Sequence, residues 1–129
     1  MFTLEQIAQA HSRVKRGAEF PHYVQELIAL GVHRYTAWLT DGHVDYEGAA
    51  QQLSGPAEHE AQVIASHSND LQFQERLKLH QQGGTNYPTF CKEARAAGVQ
   101  RWVVDMRAMT CSYYDTRGHA MLVEEVPVP

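Results

Sequence analysis

The stretch His80–Asp115, HQQGGTNYPTFCKEARAAGVQRWVVDMRAMTCSYYD, decides the fold, because most of it recurs in degenerate form earlier in the chain. Laying Pro88 on Pro21 sets an offset of 67 residues that runs without a gap. Tyr87-Pro88 then falls on Phe20-Pro21, Phe90 on Tyr23, Glu93 on Glu26, Ala96 on Ala29 and Gly98-Val99 on Gly31-Val32. Further on, Arg101 falls on Arg34, Trp102 on Tyr35 and Tyr113 on Tyr46. Aromatic-Pro, Gly-Val, Arg and aromatic recurring at one spacing is the mark of a duplicated supersecondary unit. The sequence therefore predicts one domain over 1–129, made of a pseudo-repeat over 1–66 and a second over 67–129.

Each unit reads as helix-helix-strand-strand-strand. Thr3 with Gln6 three residues on forms a capping box, and Phe2 is placed to staple onto Ile7. Helix one carries Leu4, Ile7, His11 and Val14 on one stripe and is expected to end near Gly17. Pro21 suits a first helical turn, and Gly31 suits the left-handed residue after a helix. Val32 to Leu39 switches to period two, a strand signal, with Asp41-Gly42 as the turn. A two-residue loop there sets Leu39 against Val44 and Ala37 against Tyr46. Short strands are expected near 51–53 and 62–65. In the second unit Asn69 caps a helix bearing Phe73, Leu77 and His80, which stops at Gly83-Gly84. A helix over 88–97 ends at Gly98. Strands follow over 99–106, 109–114 and 120–126, with a turn at Thr116-Arg117-Gly118. The fold class is α+β, an antiparallel sheet with helices packed on one face.

Composition narrows the function. A chain of 129 residues buries a real core without staples. Two cysteines without CxxC spacing make neither a disulfide framework nor a zinc signature. There is no leader-like start and no apolar run of ~18 residues, so a soluble, cytoplasmic protein is expected, without membrane contact. A net charge of −4 with no basic cluster beyond Lys15-Arg16 argues against nucleic acid as a partner. No cofactor and no metal are expected. The offset puts Cys91 on Val24 and Cys111 on Val44, which makes each cysteine a small hydrophobe in an aliphatic slot. His80 and His11 sit on apolar stripes near helix ends, where a histidine interacts with the helix dipole.

Asp105 falls on Trp38, a charge in place of a large aromatic. Alternation puts Tyr35, Ala37 and Leu39 with Trp102, Val104 and Met106 on a helix-covered face. The opposite face then collects Arg34, Thr36, Trp38, Arg101, Val103 and Asp105, continued by His43, Asp45, Thr110, Ser112 and Tyr114. Charged, hydroxyl and aromatic groups on one face make a candidate binding site of Arg34, Trp38, His43, Asp45, Arg101, Asp105 and Tyr114. The alternative for those residues is a solvated sheet face with cross-strand ion pairs.

The strings HQQGGTNYPTFC and VVDMRAMTCSYYD, with Asp41-Gly42-His43 and Ile7-Ala8-Gln9-Ala10-His11, resemble the YdfO/YbcV-like family of small bacterial and prophage proteins. That resemblance implies a protein of unknown function with a phage-linked context, sometimes labelled phage envelope protein-like, and supplies no catalytic residues. From the residues, the favoured reading is a non-catalytic module that binds a protein partner or a small polar ligand, with homo-oligomers open to it. Two alternatives stand beside it: a small acid/base enzyme using His43, Asp45, Asp105 and His80, and a phage structural component. No phosphate loop, HExxH or nucleophile elbow supports the enzyme.

Overall fold

The structure, a computed structural model, describes residues 1–14 and 17–129. Helix α1 (Leu4–His11), a short 3-10 turn (Gly17–Glu19) and α2 (Phe20–Leu30) lead into β1 (Val32–Trp38), β2 (Val44–Gly48) and β3 (Gln52–Ser54). A long connection reaches α3 (Asp70–Gln81) and α4 (Tyr87–Ala96), and β4 (Arg101–Asp105), β5 (Thr110–Tyr114) and β6 (Ala120–Glu125) complete the chain. The strands form one antiparallel sheet in the order β3-β2-β1-β4-β5-β6, so two three-stranded meanders meet at a β1–β4 seam. This is an α+β architecture.

Local chemistry accounts for the helix ends. Thr3 and Gln6 form the reciprocal capping box, and Phe2 and Ile7 are both buried beside it. Asn69 and Asn86 cap α3 and α4 through their side chains. Gly31 and Gly98 follow α2 and α4 with φ of +97° and +99°, the left-handed conformation that favours glycine. Helix α1 ends at His11, short of the expected Gly17. Arg13 and Val14 donate to Ala10 and His11, three residues back, and this tighter turn takes the chain out of the helix. The Lys15-Arg16 pair lies outside the described residues.

The first hairpin differs from its expected form. Ala37 pairs with Val44 and Tyr35 with Tyr46, so the loop is longer than two residues. Gly42 N–H reaches the Trp38 carbonyl, and the Asp41 carboxylate accepts the His43 N–H. The pairing has slipped by two residues, which keeps every side chain on its expected face. No strand forms over 62–65. There Gln62 N–H bonds the Thr40 carbonyl and Ala65 N–H bonds the Arg95 carbonyl, which straps the first hairpin's turn to α4.

One sheet face packs on the helices. Tyr35, Ala37, Val104, Cys111, Tyr113 and Met121 join Ile7, Val24, Leu27, Phe73, Leu77 and Phe90 in a single buried cluster drawn from both halves. Phe73 is central, with its ring 4.9 Å from Tyr113 and 6.1 Å from Phe90. The two hairpins share a register at the 67-residue offset: Tyr35 faces Tyr46 as Trp102 faces Tyr113. Across the seam Thr36 faces Val103, Arg34 faces Asp105 and Trp38 faces Arg101. The halves part at their ends, because Leu53 faces Tyr46 but Leu122, rather than Ala120, faces Tyr113.

Candidate functional site

Alternate residues of the six strands point away from the helices and form three rows that cross the sheet. The first row runs His43, Trp38, Arg101, Tyr114. The second runs Ser54, Asp45, Thr36, Val103, Ser112, Val123. The third runs Gln52, Glu47, Arg34, Asp105, Thr110, Glu125. All seven candidate residues therefore lie on this face, and they fall into two separate groups.

The first row is a stack. The His43 and Trp38 rings lie 5.9 Å apart and nearly parallel, at 11°. The Arg101 guanidinium carbon sits 5.6 Å from the Trp38 ring and 4.7 Å from the Tyr114 ring. Each such cation–π contact is worth ~0.5–1 kcal/mol where solvent is near. Trp38 Nε1 donates to Asp45 at 2.9 Å, and Ser54 Oγ donates to the other Asp45 oxygen at 2.7 Å. His43 Nδ1 meets the Asp41 carboxylate, and its Nε2 lies 3.6 Å from Asp45. The hydrogen bonds from the His43 side chain and backbone hold the Asp41 carboxyl below its ordinary value. Arg101 donates to Gln100 at 2.7 Å and makes no ion pair among the described residues.

In the third row the counterpart arginine is neutralised. Arg34 grips Glu47 through two bonds of 2.9 and 3.0 Å. Those bonds push the arginine up and the carboxyl of Glu47 down from their ordinary values. Asp105 stands across the strand from Arg34, and its carboxylate is occupied by the N–H groups of Arg107 and Ala108. The offset exposes the exchange: Glu47 and Asp105 flank Arg34 where Tyr114 and Trp38 flank Arg101. One arginine sits among carboxylates and the other between aromatic rings.

The remaining sequence candidates lie elsewhere. His80 is on the helix side, stacked 4.5 Å from Phe90 at 11°, with Nδ1 3.1 Å from the Thr85 hydroxyl. His11 meets the edge of Tyr23 at 5.4 Å. Cys111 is buried and Cys91 half-buried. Burial pushes both thiols up, Cys111 to about 12, against the smaller opposite pull of hydrogen bonds with Tyr113 and Tyr87. Both therefore stay protonated near neutrality and are poor nucleophiles. Among the described residues no three His, Cys, Asp or Glu side chains converge as a metal site requires.

Sequence reasoning passed over Asp41, the partner of His43, because a residue inside a turn reads as turn chemistry; its spacing of two from His43 was the available signal. It also passed over the phenols of Tyr23, Tyr46 and Tyr87 on the helix side. Burial pushes Tyr23 and Tyr46 up, and they remain neutral hydroxyls.

Comparison with known proteins adds a family and no activity. A family model described as "Protein of unknown function (DUF1398)" matches residues 8–125. Uncharacterized proteins of Mycobacterium bovis and of two Mycobacterium tuberculosis strains are each 32% identical over 115 residues, spanning 84% of this chain and 69% of theirs. The match covers the last turn of α1, the other three helices and all six strands, and on that extent the chain belongs to the DUF1398 family of unknown function.

Proposed function

We propose that this protein is a non-catalytic binding module that uses the uncovered sheet face, with Arg101, Trp38 and Tyr114 as its centre and His43 and Asp45 beside them. The observation that carries the reading is the unequal fate of the two offset-related arginines. Arg34 spends its charge on Glu47, whereas Arg101 is held between two rings with no carboxylate partner among the described residues. A guanidinium stacked in this way is oriented by its neighbours and keeps donors for a carboxylate or phosphate of a partner. Trp38 and Tyr114 add flat, rigid contact area of the kind that dominates recognition surfaces.

A thermal-shift and calorimetric screen of carboxylate- and phosphate-bearing ligands tests this. The expected outcome is binding that Arg101→Ala abolishes with a stability loss no larger than its two cation–π contacts account for, ~1–2 kcal/mol together, while Arg34→Ala binds as before. Normal binding by Arg101→Ala and Trp38→Ala would remove the site. The acid/base enzyme draws on the Asp41–His43 pair, and turnover of an ester, phosphate or glycoside lost in His43→Ala would favour it instead. The phage-structural alternative draws on the family resemblance alone.

A further inference from the structure

We infer that the uncovered face is closed by a second copy of this chain, packed sheet to sheet about a twofold axis that runs along the middle row of small side chains. This rests on the reading of that face as a recognition surface and names its partner. The helices all pack on the other side among the described residues, so one face of a six-stranded sheet is left unpartnered, with Val123 56% exposed on it. Relief and charge decide what fits there. The middle row is low, with Thr36, Val103 and Ser112 at its centre, between a tall row of Trp38, Arg101 and Tyr114 and a tall row of Glu47, Arg34 and Asp105.

A twofold axis along the middle row turns the first row of one copy onto the third row of the other. The partners then follow from the strand pairing alone. On β4, Arg101 of each copy meets Asp105 of the other; on β1, Trp38 meets Arg34; and His43, just before β2, meets Glu47. The unpaired cation meets a carboxylate, a ring meets a guanidinium, and the imidazole meets an acid. The low middle rows lie against each other, which leaves room for the long side chains on both sides. The other in-plane axis, along the strands at the β1–β4 seam, sets Arg34 against Asp105, Glu47 against Thr110 and Trp38 against Arg101, so the unpaired Arg101 gains no carboxylate. Charge therefore selects the first axis. The best pairs lie on β1 and β4, next to the centre of the face, where the ~30° crossing of packed sheets displaces them least. Such a contact is isologous and closes at two copies. Strand spacing and rise give a footprint of roughly 400 Å². Over the two copies that is about 800 Å², below the size of stable specific interfaces and in the range of weak, transient ones, which points to dissociation on the order of tens of micromolar or weaker.

Sedimentation equilibrium of the intact protein over ~1–200 µM gives the test, with the micromolar range set by the footprint. The expected result is a monomer–dimer equilibrium that Arg101→Glu and Asp105→Arg each weaken about tenfold or more and that the double variant restores. Because Asp105 also caps a turn, circular dichroism checks each variant. If Asp105→Arg does not fold, Trp38→Arg, which sets a cation against Arg34 of the second copy, must weaken the dimer and Arg34→Glu must recover it. A monomer at every concentration overturns the inference, as does rescue of Asp105→Arg by Arg34→Glu in place of Arg101→Glu. A monomer whose ligand binding is nonetheless lost in Arg101→Ala leaves the binding-module reading standing.

Discussion

Gly31 and Gly98 have nearly the same backbone, yet their surroundings differ. A Cβ on Gly31 meets nothing within 4 Å, whereas one on Gly98 lands 2.7 Å from the His67 carbonyl oxygen and 2.9 Å from the Ser68 Cα. Gly31→Ala therefore costs only the left-handed conformation, about 1–2 kcal/mol. Gly98→Ala must also push back the backbone that leads into α3, and its cost is greater by about 1 kcal/mol or more. Urea denaturation of the two variants checks this, and equal losses would mean that the 67–68 segment yields freely. The need for a left-handed residue was legible from a glycine that follows an apolar helical stripe. The packing of 67–68 on Gly98 was not, because it joins segments with no shared pattern. Asp105 shows the same limit. Alternation gives its face, but its pairing with the Arg107 and Ala108 N–H groups comes from the turn that follows.

Strand alternation carried the most information among the elements, since a side chain's face depends on parity alone. Tyr35 is buried and Arg34 exposed, as period two requires, although the first hairpin's register is two residues from that of a tight Asp-Gly turn. Loop length was illegible because both registers keep apolar residues on one side, and the choice falls to the Asp41 carboxylate and the strap at 58–62. The β5–β6 turn depends on a carboxylate in the same manner. Asp115 is buried, and one of its oxygens accepts the N–H groups of Arg117 and His119, each at 2.9 Å. Burial alone would raise this carboxyl, but those donors outweigh it and the net shift is downward from the ordinary 3.8. Arg34 likewise lowers Glu47 from its ordinary 4.5. A carboxyl with a depressed folded value binds its proton more readily when unfolded, so its stabilisation is present above the unfolded value and is lost as pH falls through the folded one. Tm should accordingly decline as pH drops below about 4.5 and continue to fall below 3.8. Asp115→Ala, which strands two turn N–H groups, should cost about 1–3 kcal/mol at pH 7 and flatten that decline. An unchanged acid profile in this variant would count against the turn's part in it.

For the whole molecule, the 67-residue offset was legible because the second helix and the hairpin of each half keep one spacing. It fades at the first helix and the third strand, where α1 has 8 residues against 12 for α3 and β3 has 3 against 6 for β6. Absent from any local pattern was the order in which the meanders join. The β1–β4 seam pairs Thr36 with Val103, its offset counterpart, so the seam's register is the one that two copies of β1, or two copies of β4, would adopt on meeting each other. During refolding, a meander formed early has two competitors for its edge: the other half of its own chain, some 67 residues away, and any half of a neighbouring molecule. Dilution favours the intramolecular choice and crowding favours exchange. Refolding by rapid dilution should give full monomer-length recovery at low micromolar concentration and a rising share of interlocked multimers as concentration increases, resolved by chromatography under conditions that dissociate face-to-face pairs. A yield independent of concentration would show that the seam discriminates between its own partner and an offset mimic before the strands commit.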